Sequence, residues 1–215
     1  MLIEKQESNS IYLSIIKDNF VQRSTEDNPK AVKREYEDSE GKKGVKWEVP
    51  YQAVEGYITG VSFHDGKFGE EFVVTLEEGD SSVKIQMGTG SRYFMNFGEK
   101  FPNIDFTKKV KLSPYDLVDD KGKTKNGITV YQGEDKVDSN YYDFEAKKSK
   151  NGMPSVAAKD RKGYDSDDWK MHFIQVKKFL KKEIQKVVIP AKPAGSTTVE
   201  TPTPSDASSS ETSLF

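Results

Sequence analysis

Six aromatic residues, Tyr57, Phe63, Phe68, Tyr93, Tyr115 and Tyr131, recur close to the cations Lys84, Arg92, Lys109 and Lys111. Flat rings stack on unpaired bases, at roughly 1–3 kcal/mol per base, and lysines or arginines beside them follow the phosphates. Strand-like alternation predicts where these side chains point. Tyr57, Thr59, Val61 and Phe63 are expected on one face opposite Ile58, and Lys84 and Gln86 opposite Val83, Ile85 and Met87. In the same way Lys109 and Lys111 oppose Val110 and Leu112, and Thr129 and Tyr131 oppose Ile128 and Val130. Arg92 and Tyr93 open a helix, while Phe68 and Tyr115 sit at strand edges or loops. The expected chemistry is therefore binding rather than catalysis.

Reactive groups in catalytic spacing are few. There is no phosphate-binding glycine loop followed by Lys-Ser or Lys-Thr, no Gly-x-Ser-x-Gly elbow and no histidine pair at metal spacing. His64-Asp65 precedes Gly66, and Asp-Gly is a tight-turn dipeptide. Asp119-Asp120 and Asp167-Asp168 are accounted for by a turn and a helix start. The chain has no cysteine, which removes disulfides, thiolate zinc sites and cysteine nucleophiles. No catalytic residue, metal or cofactor is expected, and the chain is expected not to be an enzyme.

The elements that must position these groups begin with three β-rich runs, 55–63, 72–76 and 83–87, joined by turns at His64–Lys67 and Glu78–Ser81. Ser91 then caps a predicted short helix that carries Phe94, Phe97 and Phe101 on one face, and Pro102-Asn103 ends it. Two more extended runs follow, 108–118 and 127–132. Three meander strands, a helix and two strands are the element order of a five-stranded Greek-key barrel of the OB type. Ahead of it, 11–16 reads as a strand, and 32–36 and 45–49 as a hairpin with Trp47 on the face of Val45 and Val49. Behind it, 140–144 extends the last sheet, and a long helix capped by Ser166 or Asp165 carries Trp169, Phe173, Val176, Leu180, Ile184 and Val187 toward the barrel wall. The expected fold is mainly β, with an N-terminal strand and hairpin, a C-terminal amphipathic helix and a tail.

The chain has 215 residues and a net charge of −2, from 33 basic and 35 acidic residues, so sorting of charge matters more than its sum. Between Lys100 and Lys125 seven lysines stand against four acids, and between Tyr142 and Gly163 six basic residues against three. Both segments are locally positive. From Pro190 the composition turns to Ala, Pro, Ser and Thr, which predicts one domain over 1–189 and a disordered tail over 190–215. That tail ends on the apolar pair Leu214-Phe215. No run approaches the roughly 18 apolar residues of a membrane span and no signal core opens the chain, so a soluble, cytoplasmic protein without a membrane partner is expected.

Several of these stretches carry a resemblance. The run Gly56 to Leu76 with its Phe68-Gly69, the link Phe101-Pro102-Asn103-Ile104-Asp105, the strand Val110 to Tyr115 and the strand Asn126 to Gln132 together resemble OB-fold single-stranded DNA-binding proteins of bacteriophages. The similarity covers residues 10 to 145 and is one of pattern. It implies a protein that coats and protects single-stranded DNA in replication, recombination or repair, largely without sequence preference, in an infected bacterial cell. It also implies docking of replication or recombination proteins on the tail through Leu214 and Phe215, with Asp206 and Glu211 as the acidic complement. The tail departs from that plan in being Ser/Thr-rich and only weakly acidic. Two other readings stand beside this one: a structural adaptor whose barrel binds a protein, and an RNA-binding protein.

Overall fold

The computed structural model describes residues 10–191 except 39, 121 and 158. Twelve strands and two α-helices follow one another as β1 (Ser10–Ile16), β2 (Asn19–Ser24), β3 (Val32–Glu37), β4 (Lys43–Tyr51), β5 (Val54–Gly66), β6 (Gly69–Glu78), β7 (Ser81–Gly88), α1 (Arg92–Lys100), β8 (Val110–Val118), β9 (Thr124–Gln132), β10 (Asp135–Lys136), β11 (Tyr142–Asp143), β12 (Lys148–Ser149) and α2 (Ser166–Lys186). The architecture is mainly β with a C-terminal helix, as the alternating runs predict. No described helix is long and apolar enough to cross a membrane.

Ten strands form one sheet in the order β10-β9-β8-β5-β6-β7-β1-β2-β4-β3. The meander β5-β6-β7, the intervening helix and the β8–β9 hairpin returning to β5 stand as the sequence predicts. A closed five-stranded barrel does not. Closure would require β9 to pair with β7, but β7 pairs instead with β1, in parallel, from Ser10↔Ser82 to Leu13↔Ile85. The sheet therefore continues through β1, β2 and β4 to β3 and stays open. It curls enough to bring Cα atoms of β2 and β8 within 8 Å, with no ladder between them. Residues 142–143 do not extend it either, because they pair with 148–149 in a separate two-stranded ladder.

Inside the curl lie Leu13, Phe20, Ile58, Phe72, Val74, Leu76, Ile85, Leu112, Ile128 and Val130. Helix α1 closes one end of this core. Its Ser91 hydroxyl accepts from the Phe94 amide at 3.2 Å, and Phe94, Phe97 and Phe101 are fully buried against Phe72 with ring centroids 5.3–6.5 Å apart. Truncating one such ring costs about 3–5 kcal/mol. Gly98 lets α2 approach, since a Cβ there would stand 3.4 Å from Leu180 and Ile184. Only Val176, Leu180 and Ile184 of the α2 stripe are buried. Phe173 is 48% exposed, because the helix outruns the core it was expected to cover.

The edge of β9 that faces away from β8 pairs with β10 at Tyr131 and Gln132 and is served by α1 at Ile128. Asn96 Oδ1 accepts from the Ile128 amide at 2.9 Å, and Lys100 Nζ donates to the Ile128 carbonyl and to Asn96 Oδ1, both at 2.6 Å. Burial lowers the Lys100 pKa to about 8, against a smaller opposing effect of the Glu99 charge. Glu99 is itself pushed up by burial. Between about pH 8 and the unfolded value of 10.5 the unfolded chain holds more protons at Lys100 than the folded one, so this residue's contribution to stability rises with pH across that window. Urea unfolding from pH 8 to 10 is expected to show this rise in the wild type relative to Lys100→Met, with a slope difference of up to about 1.4 kcal/mol per pH unit. Parallel profiles for the two proteins would show that Lys100 is not desolvated.

Candidate nucleic-acid interface

The interface is best sought on the outer face of the sheet, away from the core, where alternation puts the polar side chains. On β5 this alternation is interrupted. Ile58 pairs with Leu76 but Gly60 pairs with Thr75, so a bulge at Thr59 reverses the parity of the strand. Tyr57 consequently faces outward opposite Glu77, whereas Phe63 turns inward opposite Phe72, its ring 4.8 Å from that of Phe72 and 6.1 Å from that of Phe94. The expectation that Tyr57 and Phe63 share a face is overturned. Lys181 of α2 covers Phe63 from 5.1 Å.

The remaining candidates fall into five places. Lys109 lies 6.0 Å from the Tyr57 ring, yet donates to Glu78 at 2.5 Å, with Glu55 and Glu77 close by; the Glu78 hydrogen bond raises the Lys109 pKa. Next along the sheet, Lys111 stands opposite Tyr131, and Lys136 of β10 lies 5.8 Å from the Tyr131 ring. Phe68, 91% exposed, forms the β5–β6 turn with Lys67, whose Nζ lies 5.4 Å from its ring. Around α1 the candidates serve the fold. Arg92 donates to the Thr124 carbonyl at 2.7 Å, and the Tyr93 hydroxyl donates to the Lys17 carbonyl at 2.6 Å. Tyr115 reaches over Gly127, where an added Cβ would stand 2.6 Å from its hydroxyl. Burial raises both tyrosine pKa values, helped by Asp116 at Tyr93 and by Glu99 at Tyr115.

Lys84 marks a different place, which the sequence reading missed. It stands beside Tyr12 of β1, its Nζ 3.4 Å from the Tyr12 hydroxyl and 5.3 Å from the ring centroid. Tyr12 is 52% exposed. Beyond it the same outer face carries Arg23 on β2, Glu48 and Lys46 on β4, and Arg34 and Tyr36 on β3, in the register Arg23↔Glu48, Arg34↔Lys46 and Tyr36↔Gly44. Lys46 Nζ lies 4.5 Å from the Tyr36 ring, a second tyrosine–lysine pair three strands across from the first and offset along the strands, since Arg23 beside Tyr12 pairs with Glu48 whereas Tyr36 pairs with Gly44. Arg34 grips the buried Glu48 through a fork of 2.6 and 2.8 Å. That fork holds the Glu48 carboxyl below its usual range, with Lys46 and Arg23 adding to the effect.

The outer face is thus sorted by charge. From β7 through β1, β2 and β4 to β3 it presents Lys84, Arg23, Lys46 and Arg34 against Glu48 alone. Its β5–β6 part presents Glu55, Glu71 and Glu77. A depression of about 270 Å³ opens on the positive flank, lined by Val21, Val32 and Pro50 with Arg34 and Glu48 beside them, an apolar floor with a charged rim. The signal for this flank was the alternation in 10–16, 32–36 and 43–49, which needs the β1–β7 pairing to become one surface. Leu214 and Phe215 lie outside the described residues. Comparison of the chain with models of protein families, with curated proteins and with solved structures finds no match.

The position of Tyr36 depends on Gly44. A Cβ at Gly44 would stand 2.6 Å from the far end of the tyrosine ring, so the ring lies across the bare glycine. Gly44→Ala is expected to displace the Tyr36 ring from Lys46 while changing stability by less than about 1 kcal/mol, because the clashing atoms sit on a side chain free to swing. Tyr36 ring resonances unchanged by this substitution would mean that the ring is not seated there.

Proposed function

We propose that this protein binds single-stranded DNA without catalysing a reaction on it. The observation that carries the reading is the positive flank of the outer face, where Tyr12–Lys84 and Tyr36–Lys46 pair an exposed or half-exposed ring with a cation among four basic residues and one neutralised carboxylate. Rings of this kind stack on any base, and their lysines and arginines track the phosphates, which gives binding with little sequence preference. Net negative charge is no obstacle, since phosphates respond to the local field of the flank.

The order of β5 to β9 around α1 supports an OB-type unit in which β1 has taken the edge of β7 that a closed barrel would use for β9. Together with the sequence pattern, this favours a single-stranded DNA-binding protein of bacteriophage replication, recombination or repair, at work in the cytoplasm of an infected cell. Its Leu214-Phe215 tip would recruit replication proteins. Among the residues first singled out, Lys84 belongs to the main path. Lys111 and Tyr131 form a second, smaller contact, and Tyr57 and Lys109 lie in an acidic setting that phosphates avoid.

Oligo-dT binding followed by fluorescence anisotropy tests this reading. Saturable binding is expected, with a log–log salt slope of about −2 to −3 for four participating cations. Tyr12→Ala and Tyr36→Ala should each weaken binding about 5- to 100-fold, from the loss of one stacked base, and Lys84→Ala should flatten the slope. Duplex DNA should bind far more weakly than the single strand. Salt-independent binding, or binding indifferent to Tyr12, Tyr36 and Lys84, would sink the proposal; preference for a matched RNA strand would reassign the ligand.

A further inference from the structure

Helix α2 distributes its charges unevenly along its length. Asp165, Asp167 and Asp168 stand at its start, whereas Lys177, Lys178, Lys181, Lys182 and Lys186 occupy its second half. Three of these lysines are committed within the chain, Lys177 and Lys181 both to Glu70 and Lys186 to Glu183. The buried Val176, Leu180 and Ile184 fix which side of the helix meets the core. At about 100° per residue, the side facing away carries Asp167, Met171, Ile174, Lys178 and Lys182.

This outward stripe is apolar in its middle, with Met171 56% and Ile174 41% exposed. At its ends it is charged with opposite signs. Lys178 and Lys182 make no ion pair among the described residues, and the Asp167 carboxylate is held only by the exposed Lys170 beside it. The spacing has a further property: the pair 171/174 and the pair 167/178 share one midpoint, between residues 172 and 173. An antiparallel two-fold contact about that point sets Met171 on Ile174 of the second copy and Asp167 on Lys178 of the second copy at the same time. A parallel contact would instead oppose Asp to Asp and Lys to Lys.

We propose that two copies of this chain associate through the outward faces of α2, crossing antiparallel about an axis between residues 172 and 173. The contact is isologous, so each favourable pair occurs twice. One helix face is smaller than the roughly 1,200 Å² of a stable interface, so the dimer is weak and exchanges quickly, with a dissociation constant of about 10–100 µM. The nucleic-acid flank takes no part in it, so the two proposals stand or fall separately.

Sedimentation velocity of the full chain from about 5 to 500 µM tests the proposal. The weight-average sedimentation coefficient should rise with concentration and move toward the monomer value in high salt. Ile174→Lys should leave a folded monomer throughout the range. Asp167→Lys and Lys178→Asp should each weaken association about 3- to 30-fold, by replacing two attractive pairs with two repulsive ones, and the double variant should regain wild-type association. Circular dichroism should show unchanged helix content in every variant, since all the altered side chains face solvent. A wild type that is monomeric at every concentration, association that survives Ile174→Lys, or a folded double variant that fails to recover would each overturn it.

Discussion

The structure turns on how the edge of β9 that faces away from β8 is satisfied. A strand edge presents N–H and C=O groups that must find partners, and a sheet that cannot close must cover or pair its edges. Here β10 pairs with Tyr131 and Gln132, and two α1 side chains supply the partners at Ile128: Asn96 takes its amide and Lys100 its carbonyl. With β10 and α1 on this edge, β9 does not pair with β7, and the second edge of β7 is taken by β1. That parallel pairing joins the N-terminal strands to the meander and turns two separate pieces of sequence into one ten-stranded sheet. The cost is a lysine buried deeply enough to lower its pKa to about 8, a cost offset by its hydrogen bonds to the Ile128 carbonyl and to Asn96.

The placement of charge follows from that pairing. Without β1 beside β7, Lys84 would face outward alone, and the Arg23, Arg34 and Lys46 cluster would belong to a separate hairpin. Joined edge to edge, they make a continuous basic flank in which the one carboxylate, Glu48, is already occupied by Arg34. The acidic β5–β6 face beside it sets a boundary, since phosphates are repelled from Glu55, Glu71 and Glu77. Sorting of this kind explains how a chain of net charge −2 offers a surface suited to a polyanion.

Much of the local structure was legible in the sequence because its determinants are local. The Ser91 cap with Phe94, Phe97 and Phe101, the β5-β6-β7 meander and the β3–β4 hairpin need only spacing and turn residues to be recognised. What escaped depends on contacts distant in the chain. The bulge at Thr59 has no signature in 55–63, whose alternation looks unbroken, and it alone moves Phe63 from the surface to the core. Tyr93 reads as a helix-opening residue and Tyr115 as a strand-edge or loop residue, but the Tyr93 hydroxyl reaches the Lys17 carbonyl of the β1–β2 turn and Tyr115 lies over Gly127. Tyr12 and Tyr36 lay in segments correctly read as strands, and only the β1–β7 and β2–β4 pairings show that they share a face with Lys84.

Helix α2 shows the same division between local pattern and tertiary placement. Its periodicity promised a single apolar stripe against a wall, yet the core meets only the second half. There Lys177 and Lys181 reach Glu70 and Lys181 lies over Phe63, so one carboxylate and one ring fasten the helix where the sheet ends. The Lys181 hydrogen bond holds the Glu70 carboxyl below its usual range, as expected of a charge stabilised more in the folded chain than in the unfolded one. The first half projects past the core with Trp169, His172 and Phe173 gathered against Tyr164, a small aromatic cluster that keeps the free turns helical without a sheet beneath them. A helix packed on the core at one end and carrying its own ring cluster at the other leaves its outward stripe uncovered, with Met171 and Ile174 both exposed.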